Sequence, residues 1–232
     1  MHHVRQHRIE WAVHLLRRHG GPAARRLLLD VGCGPGESAF QTALALGGFA
    51  RVVGIDLGRD FGALFAAFAR ANGVAARYAR ASCLDLPVRR GSVDVLVSFE
   101  MLEHVPDWGR FLDEAAAALA PGGMLLASTP NPLAVHSLLK WPYQRVRGFA
   151  ALNRAYRRAG DFYERFLPVR ALVERTRGAG LDVLEAAFGG HTFTFTPDGL
   201  LPANRAVEGF LERHELLARV AVTTFLLARK PA

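Results

Sequence analysis

The sequence has few cysteines and lacks long apolar runs. Two cysteines cannot form the set of disulfides that stabilises a small secreted protein. No apolar run approaches the ~20 residues that a membrane-spanning helix needs, and residues 1–11 lack the apolar stretch of a signal peptide. We therefore expect a cytoplasmic protein, with membrane association as an open alternative.

Lysine is also scarce, and arginine carries most of the net charge of +8. A basic chain can have nucleic acid or an anionic membrane as its partner. The sequence contains no appended RNA-binding module, so we expect no specific nucleic acid as partner. Half of the 232 residues are hydrophobic, which is sufficient for one folded domain with a full core.

Apolar runs alternate with helical patterns along most of the chain. The runs predict strands at residues 26–31, 50–56, 76–79, 93–99, 124–128, 181–188 and 220–229. Helical spacing predicts helices at residues 5–19, 36–46, 60–71, 108–119 and 169–178. Continuous apolar strands separated by helices indicate an α/β fold, a Rossmann-like, doubly wound parallel sheet covered on both faces. Such a sheet binds its ligand beyond the carboxyl ends of its strands.

The segment Leu27–Gly36, LLLDVGCGPG, joins a buried strand to a helix through alternating glycines at Gly32, Gly34 and Gly36. Glycine is needed where the backbone turns with positive φ or approaches a ligand closely. The next apolar run ends in Asp56, where a carboxylate can accept hydrogen bonds from the hydroxyls of a ribose. The alternatives are an ordinary tight turn and, for the aspartate, an N-cap of the next helix. The pattern predicts a nucleoside-containing cofactor.

The glycine spacing is GxGxG, whereas dinucleotide-binding folds have GxGxxG. Asp30 stands two residues before the first glycine, and a carboxylate there repels a pyrophosphate but suits an ammonium group. With Asp56, with Ser92–Asp107 (SVDVLVSFEMLEHVPD) and with Leu119–Pro132 (LAPGGMLLASTPNP), this segment resembles the class I S-adenosylmethionine-dependent methyltransferases. Within this class it resembles the methyltransferase type 11/23 group and the ubiquinone-biosynthesis O-methyltransferases.

The resemblance implies an enzyme that uses S-adenosylmethionine as cofactor, with a seven-stranded sheet, mostly parallel, whose last strand is antiparallel. It implies methyl transfer to a small-molecule or lipid-like acceptor, at oxygen. Phenolic, sugar and natural-product acceptors stay open. The alternatives are a non-catalytic methyltransferase-like domain and an oxidoreductase that binds NAD or a nucleotide sugar. The absence of a Tyr-x-x-x-Lys pair weighs against the oxidoreductase.

The cofactor residues implied by the resemblance lie at or just beyond strand ends. Asp30 and the glycine loop would orient the methionine part, and Asp56 the ribose. Ser82 stands where an acidic residue is usual at the adenine, and its uncharged oxygen makes a weaker hydrogen bond. The full set is Asp30, Gly32, Cys33, Gly34, Gly36, Asp56, Leu57, Ser82, Cys83, Leu84 and Phe99.

The string Glu100–His104, EMLEH, permits two mechanisms. Glu100, Glu103 and His104 have the spacing i, i+3, i+4, which would place them on one face of a helical turn. The motif resembles that of ubiquinone-biosynthesis and small-RNA 2′-O-methyltransferases, in which this trio is linked to a metal. Asp161 stands where those families have a further histidine, so a divalent metal held by these four residues is the less favoured alternative. The favoured mechanism has no metal and uses His104 as general base, with Glu103 beside it.

The chain is expected to be a single methyltransferase domain, 1–232. Its parts are an N-terminal helix (1–22), a cofactor-binding core (23–130), a helical lid insertion (131–163) and a C-terminal helix with a strand hairpin (164–232). Residues 140–158 interleave apolar side chains with arginines. That composition suits contact with an anionic membrane or an anionic substrate, or an amphipathic cover packed on the domain.

Overall fold

The computed structural model describes residues 2–21, 26–134, 166–189, 219 and 221–232, with side chains from residue 8 onwards. Most of the predicted lid (131–163), the whole of 140–158 and Asp161 lie outside the described residues. No helix within the described part of the chain is long and apolar enough to cross a membrane.

The described residues form one seven-stranded sheet with helices on both faces. The strands are β1 (Leu27–Val31), β2 (Arg51–Asp56), β3 (Ala76–Arg80), β4 (Val93–Phe99), β5 (Leu119–Pro130), β6 (Asp182–Gly189) and β7 (Thr223–Arg229). The helices are α1 (His2–Arg18), α2 (Glu37–Leu46), α3 (Phe61–Ala71), α4 (Trp108–Ala118) and α5 (Val169–Gly178), with a 3-10 turn at Leu102–His104. These bounds agree with the predicted elements to within a few residues, except for β5.

The strand order is β3-β2-β1-β4-β5-β7-β6. Strands β1 to β5 pair in parallel, whereas β7 runs antiparallel to both β5 and β6. The prediction of a mostly parallel sheet with an antiparallel last strand is therefore confirmed. Every residue of β4 is buried, because helices cover the sheet on both sides, and this explains its continuous apolar sequence.

Each face of the sheet has its own apolar core. On one face, α1 buries Ile9, Val13 and Leu16 against the strands and α2, and Trp11 stacks on Phe225 of β7 with ring centroids 6.2 Å apart. On the other face, α4 and α5 pack over the same strands. The N-terminal helix, whose apolar stripe was predicted from its spacing, is therefore an integral part of the fold.

Strand β5 begins five residues earlier than the sequence suggests. Its first half contains Gly122 and Gly123, which are usually turn residues. Here they pair with the chain beyond β7: the Gly122 N–H donates to the Lys230 carbonyl at 3.0 Å, and the Lys230 N–H donates to the Gly123 carbonyl at 2.9 Å. A Cβ on Gly123 would lie 2.8 Å from two carbonyl oxygens, so close backbone approach requires glycine at this irregular part of the strand.

Candidate functional site

The loop between β1 and α2 lies across the carboxyl end of β2. The N–H groups of Gly32 and Cys33 both donate to the Ile55 carbonyl, at 2.8 and 3.2 Å, and the Gly36 N–H donates to the Cys33 carbonyl at 2.9 Å. This loop, residues 32–36, is called the glycine loop below. Its backbone is fixed by the neighbouring strand, so its open surface has a defined shape.

The glycines of the loop have different surroundings. Gly34 has φ +51°, and a Cβ there would meet nothing within 4 Å, so the backbone is open to an approaching ligand. Gly36 has φ +95°, and a Cβ there would lie 2.3 Å from the ring of Phe65. Phe65 is itself fixed by Phe40, whose ring centroid is 4.8 Å away. The loop is thus open at its centre and tightly packed where it enters α2.

Asp56, the last residue of β2, joins the glycine loop to the loop that follows it. Its Oδ2 accepts a hydrogen bond from the Gly34 N–H at 2.9 Å, and its Oδ1 accepts one from the Gly58 N–H at 2.8 Å. The alternative that Asp56 caps the next helix is wrong, because the N-cap of α3 is Asp60. Each carboxylate oxygen retains a second lone pair, so Asp56 can also accept from hydroxyl groups.

Tyr78 supports the same turn and was not predicted from the sequence. Its hydroxyl, on β3, donates to the Gly58 carbonyl at 2.5 Å. Burial, followed by the charge of Asp56, raises the pKa of Tyr78, so the phenol remains a neutral donor. Its position follows from the parallel register, which pairs Tyr78 with Gly54, two residues before Asp56, and the sequence alone does not give this register.

Asp30 is the most unusual group of the site. Its side chain is 1% exposed, and its Oδ2 has no hydrogen-bond partner. Burial, and next the negative charge of Asp56, raise the pKa of Asp30 from 3.8 to about 8, against a hydrogen bond from the Ala39 N–H that lowers it. A buried carboxyl of this kind is costly unless a cation or a donor pairs with it.

The two cysteines of the predicted set are free thiols. Burial, followed by the charges of Asp30 and Asp56, raises the pKa of Cys33. Burial also raises the pKa of Cys83. Since the thiolate is the reactive form, burial disfavours nucleophilic chemistry at either cysteine.

The segment expected at the adenine lies just beyond β3. The Ser82 Oγ accepts a hydrogen bond from the Leu84 N–H at 3.1 Å. This bond occupies one of the two lone pairs of the hydroxyl oxygen. Leu57 is largely exposed beside Asp56, whereas Cys83 and Leu84 are half-buried. The exposed Leu57 side chain is available for apolar contact with a ligand. Phe99, the last residue of β4, is buried at the same sheet edge.

The expectation that Glu100, Glu103 and His104 share one face of a helical turn is wrong. Glu100 has φ +52°, outside the helical region, and a short 3-10 turn covers Leu102–His104. Because Glu100 lies outside the helical region, the i, i+3, i+4 spacing does not place its side chain on one helical face with those of Glu103 and His104. Within the described residues, no three His, Cys, Asp or Glu side chains are grouped so that they could hold a metal ion.

Glu103 and His104 remain neighbours. The Glu103 Oε1 lies 3.8 Å from the His104 Nε2, and the Glu103 Oε2 accepts a hydrogen bond from the Thr129 hydroxyl at 3.2 Å. Glu103 is 2% exposed, whereas the His104 side chain is 35% exposed. A buried carboxylate next to a solvent-accessible imidazole can orient that imidazole. Thr129, at the end of β5, was not predicted from the sequence.

Two features fit a ligand that carries both an ammonium group and a ribose. The unpartnered Oδ2 of Asp30 supplies a buried acceptor for the ammonium, and the open backbone at Gly34 lies next to Asp56, which suits the ribose. S-adenosylmethionine contains both groups. The residues present therefore fit the cofactor that the sequence resemblance implies.

Comparison with known proteins supports a methyltransferase. A family model described as a methyltransferase domain matches residues 29–127. The ubiquinone biosynthesis O-methyltransferase of Bordetella avium is 31% identical over 183 residues, covering 78% of this chain and 71% of the relative. The protein of the same name from Cupriavidus pinatubonensis is 34% identical over 163 residues, covering 70% of this chain and 62% of the relative. The chain thus spans about two thirds of the length of these relatives.

Solved structures share the fold. An S-adenosylmethionine-dependent methyltransferase from Mesorhizobium loti has a TM-score of 0.61 at 21% identity, with 96% of this chain and 98% of the other covered. The [4+2]-cyclase SpnF has a TM-score of 0.63 at 20% identity, with 97% and 81% covered. A fold that occurs in both does not by itself define the reaction. The family follows instead from the sequence match and from the glycine loop: this chain belongs to the S-adenosylmethionine-dependent methyltransferases.

Proposed function

We propose that this protein transfers a methyl group from S-adenosylmethionine to an oxygen atom of a small-molecule or lipid-like acceptor. The observation that carries the proposal is the buried carboxyl of Asp30 beside the glycine loop, whose Oδ2 has no hydrogen-bond partner, with the Glu103–His104 pair in the turn that follows β4. The relatives named ubiquinone biosynthesis O-methyltransferase support oxygen as the methylated atom and a phenol as the first acceptor to test.

When bound, the cofactor supplies an electrophilic methyl group on a sulfonium. The protein's own contribution is to position the reactants and to move a proton. Asp30 binds and orients the ammonium, the Asp56 carboxylate accepts from the ribose hydroxyls, and the open backbone at Gly34 allows close approach. The His104 imidazole takes the proton of the acceptor hydroxyl, and Glu103, held by Thr129, orients that imidazole.

The first test is binding of S-adenosylhomocysteine, the demethylated cofactor, at different pH values. Its ammonium pairs with ionised Asp30, but below a pKa of about 8 this carboxyl is mostly protonated. Binding must therefore expel a proton, and affinity rises as the pH rises from 6 towards 8. We expect a gain of roughly tenfold in affinity per pH unit over this range, measured by isothermal titration calorimetry.

The control for this titration is Asp30→Asn, which has a similar shape and cannot ionise. We expect this variant to bind S-adenosylhomocysteine more weakly and with an affinity that does not change with pH. Any pH dependence that remains in this variant comes from groups other than Asp30, such as the ligand itself. NAD serves as the competing ligand and is expected not to bind. If wild-type protein binds NAD, or does not bind S-adenosylhomocysteine at any pH, the proposed function is wrong.

A second prediction concerns Ser82. In Ser82→Asp, one carboxylate oxygen can keep the hydrogen bond from the Leu84 N–H, while the other is free to accept from the adenine amino group. Charge-assisted hydrogen bonds are about twice as strong as neutral ones, so we expect roughly tenfold tighter binding of S-adenosylhomocysteine. Ser82→Ala, which removes the turn contact, should bind more weakly than wild type. Weaker binding by the aspartate variant would show that Ser82 does not face the adenine.

A further inference from the structure

Glu100 is the one residue other than glycine with positive φ among the described residues. A side chain with a Cβ avoids this region, and such residues persist where the surrounding structure fixes them, often at functional sites. Glu100 directly follows β4 at the carboxyl edge of the sheet. Its strain is therefore located next to the glycine loop and the Glu103–His104 pair.

Three contacts hold Glu100 in this conformation. Its N–H donates to the Ser128 carbonyl at 3.0 Å, and its Oε1 accepts from the Ser128 hydroxyl at 3.0 Å. Its Oε2 lies 3.5 Å from the Nη2 of Arg8, which comes from helix α1. The two charged side chains are only 18% and 24% exposed, so this ion pair is screened less than a surface pair.

Next to the strained Glu100, Arg8 has an unsatisfied hydrogen-bond donor. Its Nε is buried and has no hydrogen-bond partner. A buried donor without an acceptor destabilises the fold, and a native protein rarely contains one without a reason. The guanidinium nevertheless lies against Glu100, with 3.5 Å between the Arg8 Nη2 and the Glu100 Oε2.

The chain after Glu100 connects this pair to the binding site. A Cβ on Gly32 would lie 2.5 Å from the Met101 Cγ, which shows that Met101 packs directly on the first residue of the glycine loop. The Met101 carbonyl also accepts the His104 N–H at 2.9 Å. A shift of the turn at Glu100 would therefore displace Met101, and with it both the glycine loop and the 3-10 turn that carries His104.

We propose that Arg8 and Glu100 are positioning residues that connect helix α1 to the cofactor loop. The ion pair fixes the strained turn, and the turn fixes the position of Met101. The Met101 side chain in turn packs on Gly32 and supports the glycine loop. This inference rests on the proposed function in that the loop holds the cofactor. It assigns to the N-terminal helix a part in cofactor binding, although none of its residues belongs to the predicted site.

The test compares the binding of S-adenosylhomocysteine to wild type, Arg8→Ala, Glu100→Gln and the double variant. We expect roughly tenfold weaker binding in each single variant and no further loss in the double variant, because both changes break the same contact. Arg8→Lys, which keeps the charge, should recover most of the affinity. In Glu100→Gly the positive φ is unstrained but the carboxylate is absent, so this variant should bind as weakly as Glu100→Gln.

Arg18→Ala is the matched control on the same helix. Arg18 also pairs with a glutamate across the fold, its Nη1 lying 3.3 Å from the Glu185 Oε1, but that glutamate is on β6, far from the glycine loop along the sheet. We expect this variant to bind S-adenosylhomocysteine as wild type does. Equal affinity in wild type and Arg8→Ala, or equal loss in Arg8→Ala and Arg18→Ala, would overturn the inference.

Hydrogen exchange of the ligand-free protein separates this inference from the proposed function. If Arg8 supports the loop, the amides of residues 32–36 exchange faster in Arg8→Ala than in wild type, and Arg18→Ala leaves them unchanged. Unchanged exchange in Arg8→Ala contradicts the inference whether or not the protein binds S-adenosylhomocysteine. Failure of wild-type protein to bind that ligand contradicts the proposed function alone.

Discussion

We expect His104→Ala to lower turnover by roughly 10²–10⁴, the usual loss when a general base is removed. The imidazole is accessible to an acceptor, and the buried Glu103 lies beside it, with 3.8 Å between the Oε1 and the Nε2. Without this base, the acceptor hydroxyl retains its proton as its oxygen attacks the methyl group. The measurement is the release of S-adenosylhomocysteine with a simple catechol as acceptor.

The same variant should bind S-adenosylhomocysteine normally, because His104 belongs to the turn after β4 and not to the glycine loop. Glu103→Gln keeps the shape of the side chain but loses its charge, and we expect a smaller loss of turnover, roughly tenfold. His19→Ala is a matched control, since the His19 Nε2 also lies close to a glutamate, at 2.6 Å from the Glu185 Oε2, but beyond the end of α1. Undiminished turnover in His104→Ala would show that another group, or no group, accepts the proton.

The second large effect is expected for Gly36→Ala. Its φ of +95° is unfavourable for alanine, and the new methyl group would lie 2.3 Å from the ring of Phe65. This ring cannot move aside easily, because it is fully buried and packed between Phe40 and Tyr78. Left-handed strain of about 1–2 kcal/mol adds to an overpacking cost of about 1–3 kcal/mol. We expect the free energy of unfolding, measured in urea, to fall by about 2–5 kcal/mol.

Gly73→Ala separates these two causes. Gly73 follows α3 with φ +60°, and a Cβ there meets nothing within 4 Å, so the variant carries the backbone strain without the steric clash. We expect it to lose about 1–2 kcal/mol and to bind S-adenosylhomocysteine normally, whereas Gly36→Ala binds it poorly. Equal losses in the two variants would mean that Phe65 adapts and that packing beneath the loop is looser than the contacts indicate.

Local sequence patterns were sufficient for most of the fold. The strands that carry the glycine loop and Asp56 are short apolar runs with a charged residue near their end, and these runs can be identified without tertiary information. The antiparallel direction of β7 was predicted from the family resemblance and not from a local sequence pattern. The early start of β5 was missed because Gly122 and Gly123 suggest a turn, and their pairing with residues beyond β7 is a tertiary contact.

The site was harder to predict wherever its geometry depends on contacts between distant parts of the chain. The spacing of Glu100, Glu103 and His104 suggested one helical face, because spacing carries no information on a positive φ at a residue with a Cβ. The contact between Arg8 and Glu100 joins residues that no local periodicity relates. The missing partner of Asp30 Oδ2 could not be inferred either, since an acidic residue at a strand end is usually assumed to be solvated.

The position of β7 has a consequence for synthesis on the ribosome. This strand lies between β5 and β6, so both of those strands have an unpaired edge while residues 223–229 are still in the exit tunnel. Unpaired edges of this kind are prone to association with other chains. The glycine loop is therefore synthesised well before β5 and β6 acquire the strand that pairs with both.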